Sequence, residues 1–127
     1  MSTNADRERE LWRLNEQVHQ ARFPKDKIPG WETGDGLPRY IKDGRVGIVS
    51  DYARSLDACT PLMDEVKDAR LMIHFWHFGD NLCGLWDERA GMYATEPQVG
   101  KDAEAFIRCY LAWKEKANAS KNTTPTN

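Results

Sequence analysis

The chain has few of the residues and patterns that define several protein classes. Its 127 residues contain three cysteines and no pair at CxxC spacing. An odd cysteine count without such pairs argues against a disulfide scaffold or a zinc ribbon. No apolar run approaches the roughly 20 residues of a membrane-spanning helix. The opening segment, MSTNADRERE, lacks the apolar core of a signal peptide, so we expect a cytoplasmic protein with no membrane association.

A basic excess is also missing. The chain carries 18 basic and 20 acidic residues, for a net charge of −2. A general nucleic-acid binder needs surplus cations for phosphates, so we expect no such binding. His74 and His77 could be taken for a metal-ligand pair. They fall in a predicted strand, however, where positions three apart point to opposite faces, so we expect neither a metal site nor a cofactor.

Catalytic motifs are absent as well. The sequence contains no GxSxG, HExxH, P-loop or GxGxxG pattern. Ser55 and Asp57 lie close together, and a histidine such as His74 could complete a hydrolytic arrangement in the fold. Ser55 is also a good helix-capping residue, and capping is the simpler interpretation. We therefore expect a protein that is not an enzyme and keep a hydrolase as the least favoured alternative.

What the sequence does contain predicts one α+β domain over residues 1–117. Leu11, Leu14 and Val18 recur at helical spacing within a first helix over residues 5–23, which Pro24 ends. Residues 24–38, rich in proline and glycine, predict an ordered loop. Asp43-Gly44 predicts a type I′ turn in a hairpin formed by residues 39–42 and 45–49, the alternative being that residues 39–49 form a long irregular segment.

A second helix is expected over residues 51–66, although Pro61 within it removes a backbone donor. Residues 70–78, 82–86 and 92–95 predict an antiparallel meander. Its first strand is apolar on both faces and so needs cover on both.

A last helix is expected over residues 101–117. The polar tail, residues 118–127, is expected to be disordered. Three helices around a small antiparallel meander predict an α-β-α sandwich.

Several short segments resemble the phage ABA sandwich domain, a family of small phage and prophage proteins. They are YARSLDA at residues 52–58, the paired tryptophans Trp76 and Trp86, and the alanine-rich AEAFIRCYLA at residues 103–112. The chain departs from that pattern because no proline precedes Tyr52 and because Pro61 interrupts the helix. The resemblance implies a phage or prophage origin, a bacterial host cytoplasm and the sandwich fold. It implies no catalytic residues.

The five tryptophans raise the question of a recognition surface. They can fill a thin core, or some of them can anchor an interface, as aromatic and arginine side chains often do. Trp31 lies in the proline-rich loop and either packs back on the core or contacts a partner. The candidate surface comprises Trp31, Arg39, Tyr40, Arg45, Tyr52, Arg54 and Trp86.

Three functions remain open on the sequence. The first is a non-enzymatic phage or prophage protein that binds a host protein, for example an anti-CRISPR-like inhibitor of a bacterial defence system. The second is a binder of nucleotides or other small molecules, with aromatic stacking and Arg39, Arg45 or Arg54 on phosphate. The third is the hydrolase. The sequence indicates neither the identity of the partner nor the oligomeric state.

Overall fold

The structure, a computed structural model, describes residues 4–28, 39–77 and 81–122. The order of elements is α1 (Asn4–Arg22), β1 (Arg39–Lys42), β2 (Arg45–Ile48), α2 (Thr60–Asp68), β3 (Leu71–Trp76), β4 (Leu82–Asp87), β5 (Met92–Tyr93), β6 (Gln98–Val99) and α3 (Asp102–Asn122). Among the described residues there are three helices and two antiparallel sheets. The predicted α+β class is therefore confirmed. Trp31 and most of the proline-rich loop lie outside the described residues.

The hairpin of β1 and β2 forms where the sequence predicts it. Asp43 and Gly44 have φ angles of 51° and 77°, the left-handed values that a type I′ turn requires. The strands pair from Arg39 opposite Ile48 to Lys42 opposite Arg45. A backbone bridge between Lys27 and Ile41 ties β1 to the segment after α1.

The second helix begins later than the sequence predicts. Residues 51–59 form turns, and α2 starts at Thr60 with Pro61 in its first turn. Proline is tolerated there because the first N–H groups of a helix have no intrahelical partner, whereas in a helix interior it would break a hydrogen bond. Ser55 accepts a hydrogen bond from the Ala58 N–H at 3.2 Å, so it stabilises a turn rather than the start of a helix.

Residues 51–59 are held by a polar side chain on the buried face of α1. Asn15 is fully buried, its Nδ2 donates to Asp51 Oδ1 at 3.0 Å, and its Oδ1 accepts the Ala53 N–H at 2.7 Å. These two bonds fix the turn segment against α1 without a regular element. Tyr52 and Ala53 can therefore be buried in a segment that is not helical.

The four-stranded sheet has β4 at its centre. β3 pairs with one edge of β4, and β5 and β6 pair with the other. The predicted meander is present in its main strands, and the short β6 is an addition that the sequence pattern did not indicate. The last helix also continues to Asn122, five residues beyond its predicted end at residue 117.

The hydrophobic core lies on one face of this sheet. Leu71, Cys83 and Leu85 point into it from β3 and β4, together with partly buried Ile73 and Phe75. The helices α2 and α3 pack on this face, and α1 packs on α3. The three helices contribute these buried side chains to the core: Leu11, Leu14, Val18, Leu62, Val66, Ala103, Ala105, Phe106, Ile107, Cys109 and Tyr110. Because the core contacts of all three helices lie on this side, the predicted sandwich arrangement is not confirmed.

An ion-pair network joins α1 to α3 at the edge of the core. Glu104 is almost fully buried and accepts hydrogen bonds from Arg7 and from Arg108, the latter at 3.0 Å. Glu10 pairs with the same two arginines at 3.0 and 2.7 Å. These hydrogen bonds lower the pKa of Glu10, the bond from Arg108 being the larger cause. The network fixes the relative position of the two long helices.

Candidate functional site

The sheet face opposite the core carries a cluster of aromatic side chains. Side chains alternate between faces along a strand, so Leu71, Ile73 and Phe75 point to the core. The even-numbered residues of β3 and their partners in β4 and β5 then point the other way. We call this surface the aromatic face and define it by Met72, His74, Trp76, Trp86 and Tyr93.

Four of these five side chains form one connected set of rings. Trp86 and Tyr93 meet edge to face with centroids 4.9 Å apart, and Trp76 meets Tyr93 in the same way at 5.7 Å. His74 lies parallel to Trp86, at 12° and 6.1 Å, and edge-on to Trp76 at 5.8 Å. Edge-to-face and offset arrangements are the ones that aromatic quadrupoles favour. The rings therefore hold one another in place.

Gly84 provides the floor on which these rings pack. It lies in β4 opposite His74, and the position that a Cβ would occupy is directed at the rings. A Cβ at this position would stand 2.9 Å from Cε1 of Tyr93 and 3.3 Å from a ring carbon of Trp76. Only glycine lets both rings approach the backbone this closely.

Part of the aromatic face is exposed to solvent. Its rings are half-buried by one another, and none of them belongs to the hydrophobic core or packs against it. Met72 is 42% exposed, and Val99, which pairs with Leu82 on the same side of the sheet, is 56% exposed. A rigid surface of Trp, Tyr and Met side chains is well suited to bind apolar groups of a partner.

The residues proposed from the sequence do not form one surface. Trp86 lies on the aromatic face, and Trp31 lies outside the described residues. Arg39 is half-buried on β1, and Arg45 is exposed on β2. The structure brings only part of the predicted set together, on the β1–β2 hairpin.

Tyr40 and Arg45 share a shallow pocket of about 450 Å³ on the hairpin, with Lys42 beside them. The pocket does not offer a free aromatic ring. His19 stacks on Tyr40 at 4.2 Å and 29°. The far end of the Tyr40 ring lies so close to Gly47 that a Cβ there would stand 2.5 Å from it. Tyr40 therefore serves to join the hairpin to α1, and its ring is not available to stack on a nucleotide base.

Tyr52 and Arg54 are engaged within the protein. Tyr52 is only 2% exposed, and its hydroxyl accepts a hydrogen bond from Arg22 at 2.7 Å. As a core residue it cannot contact a partner in this conformation, which corrects its place in the predicted surface. Arg54 is exposed and forms ion pairs with Glu8 and with Asp51. Its charge is balanced by these carboxylates.

A cleft of about 880 Å³ lies between α1, the turn segment and the start of α3. Ser55, His77 and Asp102 line it, and His77 Nε2 lies 2.7 Å from Asp102 Oδ1. His74, the histidine considered with Ser55, lies on the aromatic face instead. Within the described residues no hydrogen bond joins Ser55 to His77, so the cleft lacks the contact that activates a serine nucleophile.

The three cysteines are buried and are not disulfide-bonded. Burial raises the pKa of the Cys59 thiol to about 12. The hydrogen bond with Cys109, together with burial, raises the pKa of Cys83 as well. The same hydrogen bond lowers the pKa of Cys109, its partner. Cys59 and Cys83 are therefore protonated at neutral pH, and a protonated, buried thiol is a poor nucleophile.

The part of the chain that the structure describes also bears on metal binding and membrane crossing. No group of three or more His, Cys, Asp or Glu side chains is placed to hold a metal ion there. None of the described helices has the length and apolar character needed to cross a membrane.

Sequence reasoning found Trp86 but missed the rest of the aromatic face. The signal that could have found it is the period-two pattern of β3 and β4. Met72, His74 and Trp76 alternate with the core-facing residues, and Gly84 and Trp86 alternate in the same way in the paired strand. Assigning that second apolar face to helical cover concealed its exposure.

Comparisons of the chain with known protein families, with curated proteins and with solved structures find no match. The resemblance to the phage ABA sandwich domain therefore depends on the short sequence segments alone.

Proposed function

We propose that this chain is a non-enzymatic binding protein whose aromatic face docks on a protein partner. The observation that carries the proposal is the set of four mutually packed rings on the solvent side of the sheet, next to the exposed Met72. Rigid aromatic side chains lose little conformational entropy on binding and dominate the energetics of protein interfaces.

A protein is a better partner for this face than a nucleic acid. The chain has a net charge of −2, whereas nucleic-acid surfaces pair aromatic rings with a basic excess for the phosphates. Thioether and indole groups are enriched where proteins meet proteins. Following the resemblance to phage proteins, we propose a bacterial host protein as the partner, with inhibition of a defence system as the outcome of binding.

Small-molecule binding has less support. The hairpin pocket places Lys42 and Arg45 near Tyr40, but His19 already stacks on that ring. The larger cleft holds cations that are paired with carboxylates, such as Arg54 with Glu8. Among the residues that the structure describes, neither offers an aromatic platform beside an unbalanced positive charge, which a nucleotide would need.

The test is affinity capture from bacterial lysate, followed by titration of the captured protein against variants. Trp86→Ala removes one ring of the aromatic face, and Trp12→Ala removes a half-buried tryptophan from α1 as the matched control. We expect Trp86→Ala to weaken binding about 30-fold, since a central interface tryptophan is worth about 2 kcal/mol, and Trp12→Ala to leave it unchanged. Circular dichroism verifies that both variants are folded.

Two results would count against the proposal. One is that no lysate protein is retained above the level of an unrelated control protein. The other is that a captured partner binds wild type and Trp86→Ala with the same affinity, which would place its interface elsewhere on the chain.

A further inference from the structure

Among the described residues, β3 has one edge to which no other strand is paired. Within residues 4–28, 39–77 and 81–122 it pairs with β4 only, because β5 and β6 both occupy the opposite edge of β4. Six residues, from Leu71 to Trp76, therefore form an edge strand of the main sheet. An open edge of this length is a ready template for another strand.

The pairing pattern shows which backbone groups lie along that edge. The Ala94 N–H donates to the Leu85 carbonyl at 2.7 Å, and the Gly100 N–H donates to the Asn81 carbonyl at 3.1 Å. Odd-numbered residues of this segment thus bond toward β5 and β6. In an antiparallel sheet the residues between them must bond to the other neighbour, which is β3.

Leu82, Gly84 and Trp86 therefore bond to Trp76, His74 and Met72, their partners in register. The N–H and C=O groups of Leu71, Ile73 and Phe75 are then directed outward. On the side away from β4, the described part of the chain provides no hydrogen-bond partner for these groups.

A second copy of β3 fits this edge in antiparallel register. With a two-fold axis at Ile73, each Ile73 faces the Ile73 of the other copy, and each Leu71 faces a Phe75. All outward groups are then paired, giving about six intermolecular hydrogen bonds. A two-fold interface must be complementary to itself, and the alternation of bonding residues about Ile73 satisfies this requirement.

The side chains on the aromatic face are also self-complementary in this register. Met72 of one copy stands opposite His74 of the other, at a non-hydrogen-bonded position where side chains are closest. A thioether beside an aromatic ring is a favourable contact.

We propose that the protein forms a two-fold dimer in which the β3 strands of two copies pair antiparallel and join the two four-stranded sheets. The two aromatic faces then lie on the same side of one continuous sheet. The dimer does not depend on the proposed function, since it follows from the strand edge and needs no other partner.

Sedimentation equilibrium over a range of protein concentrations tests the dimer. We expect wild type to dimerise and the double variant Met72→Lys with His74→Lys to dissociate at least ten times more readily, because like charges then oppose each other across the axis. Met72→Lys with His74→Glu should restore the dimer through opposite charges. Val99→Lys, which places one lysine at the far edge of the same sheet, should not affect it.

Amide hydrogen exchange of the wild-type protein tests the same proposal without substitution. The amides of Met72, His74 and Trp76 should be protected at every concentration, because they bond to β4. Those of Ile73 and Phe75 should gain protection as concentration rises, because the second copy covers them.

A protein that stays monomeric to millimolar concentration overturns the proposal. So does a dimer in which the amides of Ile73 and Phe75 gain no protection. A dimer that Val99→Lys disrupts and the double lysine variant does not would also overturn it, because its interface would then be on the opposite edge of the sheet.

Discussion

The link between α2 and α3 through Tyr110 and Glu65 gives a sharp test of the fold. Tyr110 is fully buried, and its hydroxyl donates to Glu65 Oε2 at 2.7 Å. Lys114 donates to the other carboxylate oxygen at 2.6 Å. Tyr110→Phe removes only the hydroxyl, and the ring keeps its contacts with Phe106 and Trp113. The substitution therefore isolates one charge-assisted hydrogen bond.

The expected loss is about 1–2 kcal/mol in the free energy of unfolding. Hydrogen bonds to charged groups contribute about 1.5–3 kcal/mol, and the lower end applies because Glu65 is partly exposed and keeps Lys114. For a domain of this size the melting temperature should fall by about 3–8 °C. Urea unfolding at pH 7, followed by circular dichroism, measures the difference.

Tyr93→Phe is the matched control. The hydroxyl of Tyr93 has no hydrogen bond within the described residues, and its ring contacts are unchanged by the substitution. We expect its effect to remain within about 0.5 kcal/mol. If Tyr110→Phe proves no more destabilising than Tyr93→Phe, the inferred bond between α2 and α3 does not exist in solution.

The pH dependence provides an independent check of the same link. Partial burial raises the pKa of Glu65, but the hydrogen bonds from Lys114 and Tyr110 outweigh it, and the net pKa lies below the ordinary value. Because the pKa of Glu65 is lower in the folded state, its ionised carboxylate stabilises the fold at pH values above the unfolded pKa of about 4.3. This stabilisation is lost as pH falls through the folded-state pKa. Burial and the bond to Glu65 raise the pKa of Tyr110. Its contribution is present below pH of about 10 and is lost as pH rises further, a loss that Tyr110→Phe should remove.

Three further predictions concern the turn segment, the thiols and the aromatic face. Asn15→Ala leaves the buried Ala53 N–H without its acceptor and should cost about 2–3 kcal/mol, measured by urea unfolding; a loss below 0.5 kcal/mol would contradict the anchoring role. The native protein should show no thiol reactive with a disulfide reagent at pH 8 and three after denaturation, because all three cysteines are fully buried and a reagent cannot reach them. Gly84→Val should displace the ring of Tyr93 and weaken the near-ultraviolet circular dichroism of the cluster, and an unchanged spectrum would show that the rings do not pack on this glycine.

Local signals in the sequence were sufficient for several elements. The Asp43-Gly44 turn has a conformation that few other dipeptides adopt, so the hairpin follows from two residues. The first helix follows from apolar spacing and from Pro24. In both cases the determining interactions lie within a few residues of one another.

The start of α2 and the burial of Tyr52 depend on contacts that are distant in sequence. Asn15 binds the turn segment across 36 and 38 positions in the chain, and this link gives no local pattern. A polar residue on an apolar helix face was the available indication. Pro61 also indicated a helix starting at residue 60, once it is placed in a first turn.

The candidate site was predictable only in part. Trp86 stood out because tryptophan is rare, but its companions were assigned to a buried strand. Apolar residues on both faces of β3 indicate two covered faces or one covered and one used for binding, and the sequence alone does not distinguish them. The arrangement of Arg45 and Arg54 on separate surfaces likewise depends on tertiary structure.

The strand β4 carries two kinds of residue in strict alternation. Cys83 and Leu85 point to the core, whereas Gly84 and Trp86 point to the aromatic face. Substitutions at Trp86 can thus change the aromatic face without remodelling the interior, whereas Gly84 must stay glycine for the rings to pack on the strand. A shift of the strand by one residue would exchange the two sets and push a tryptophan inward, so the same alternation also penalises misaligned folding.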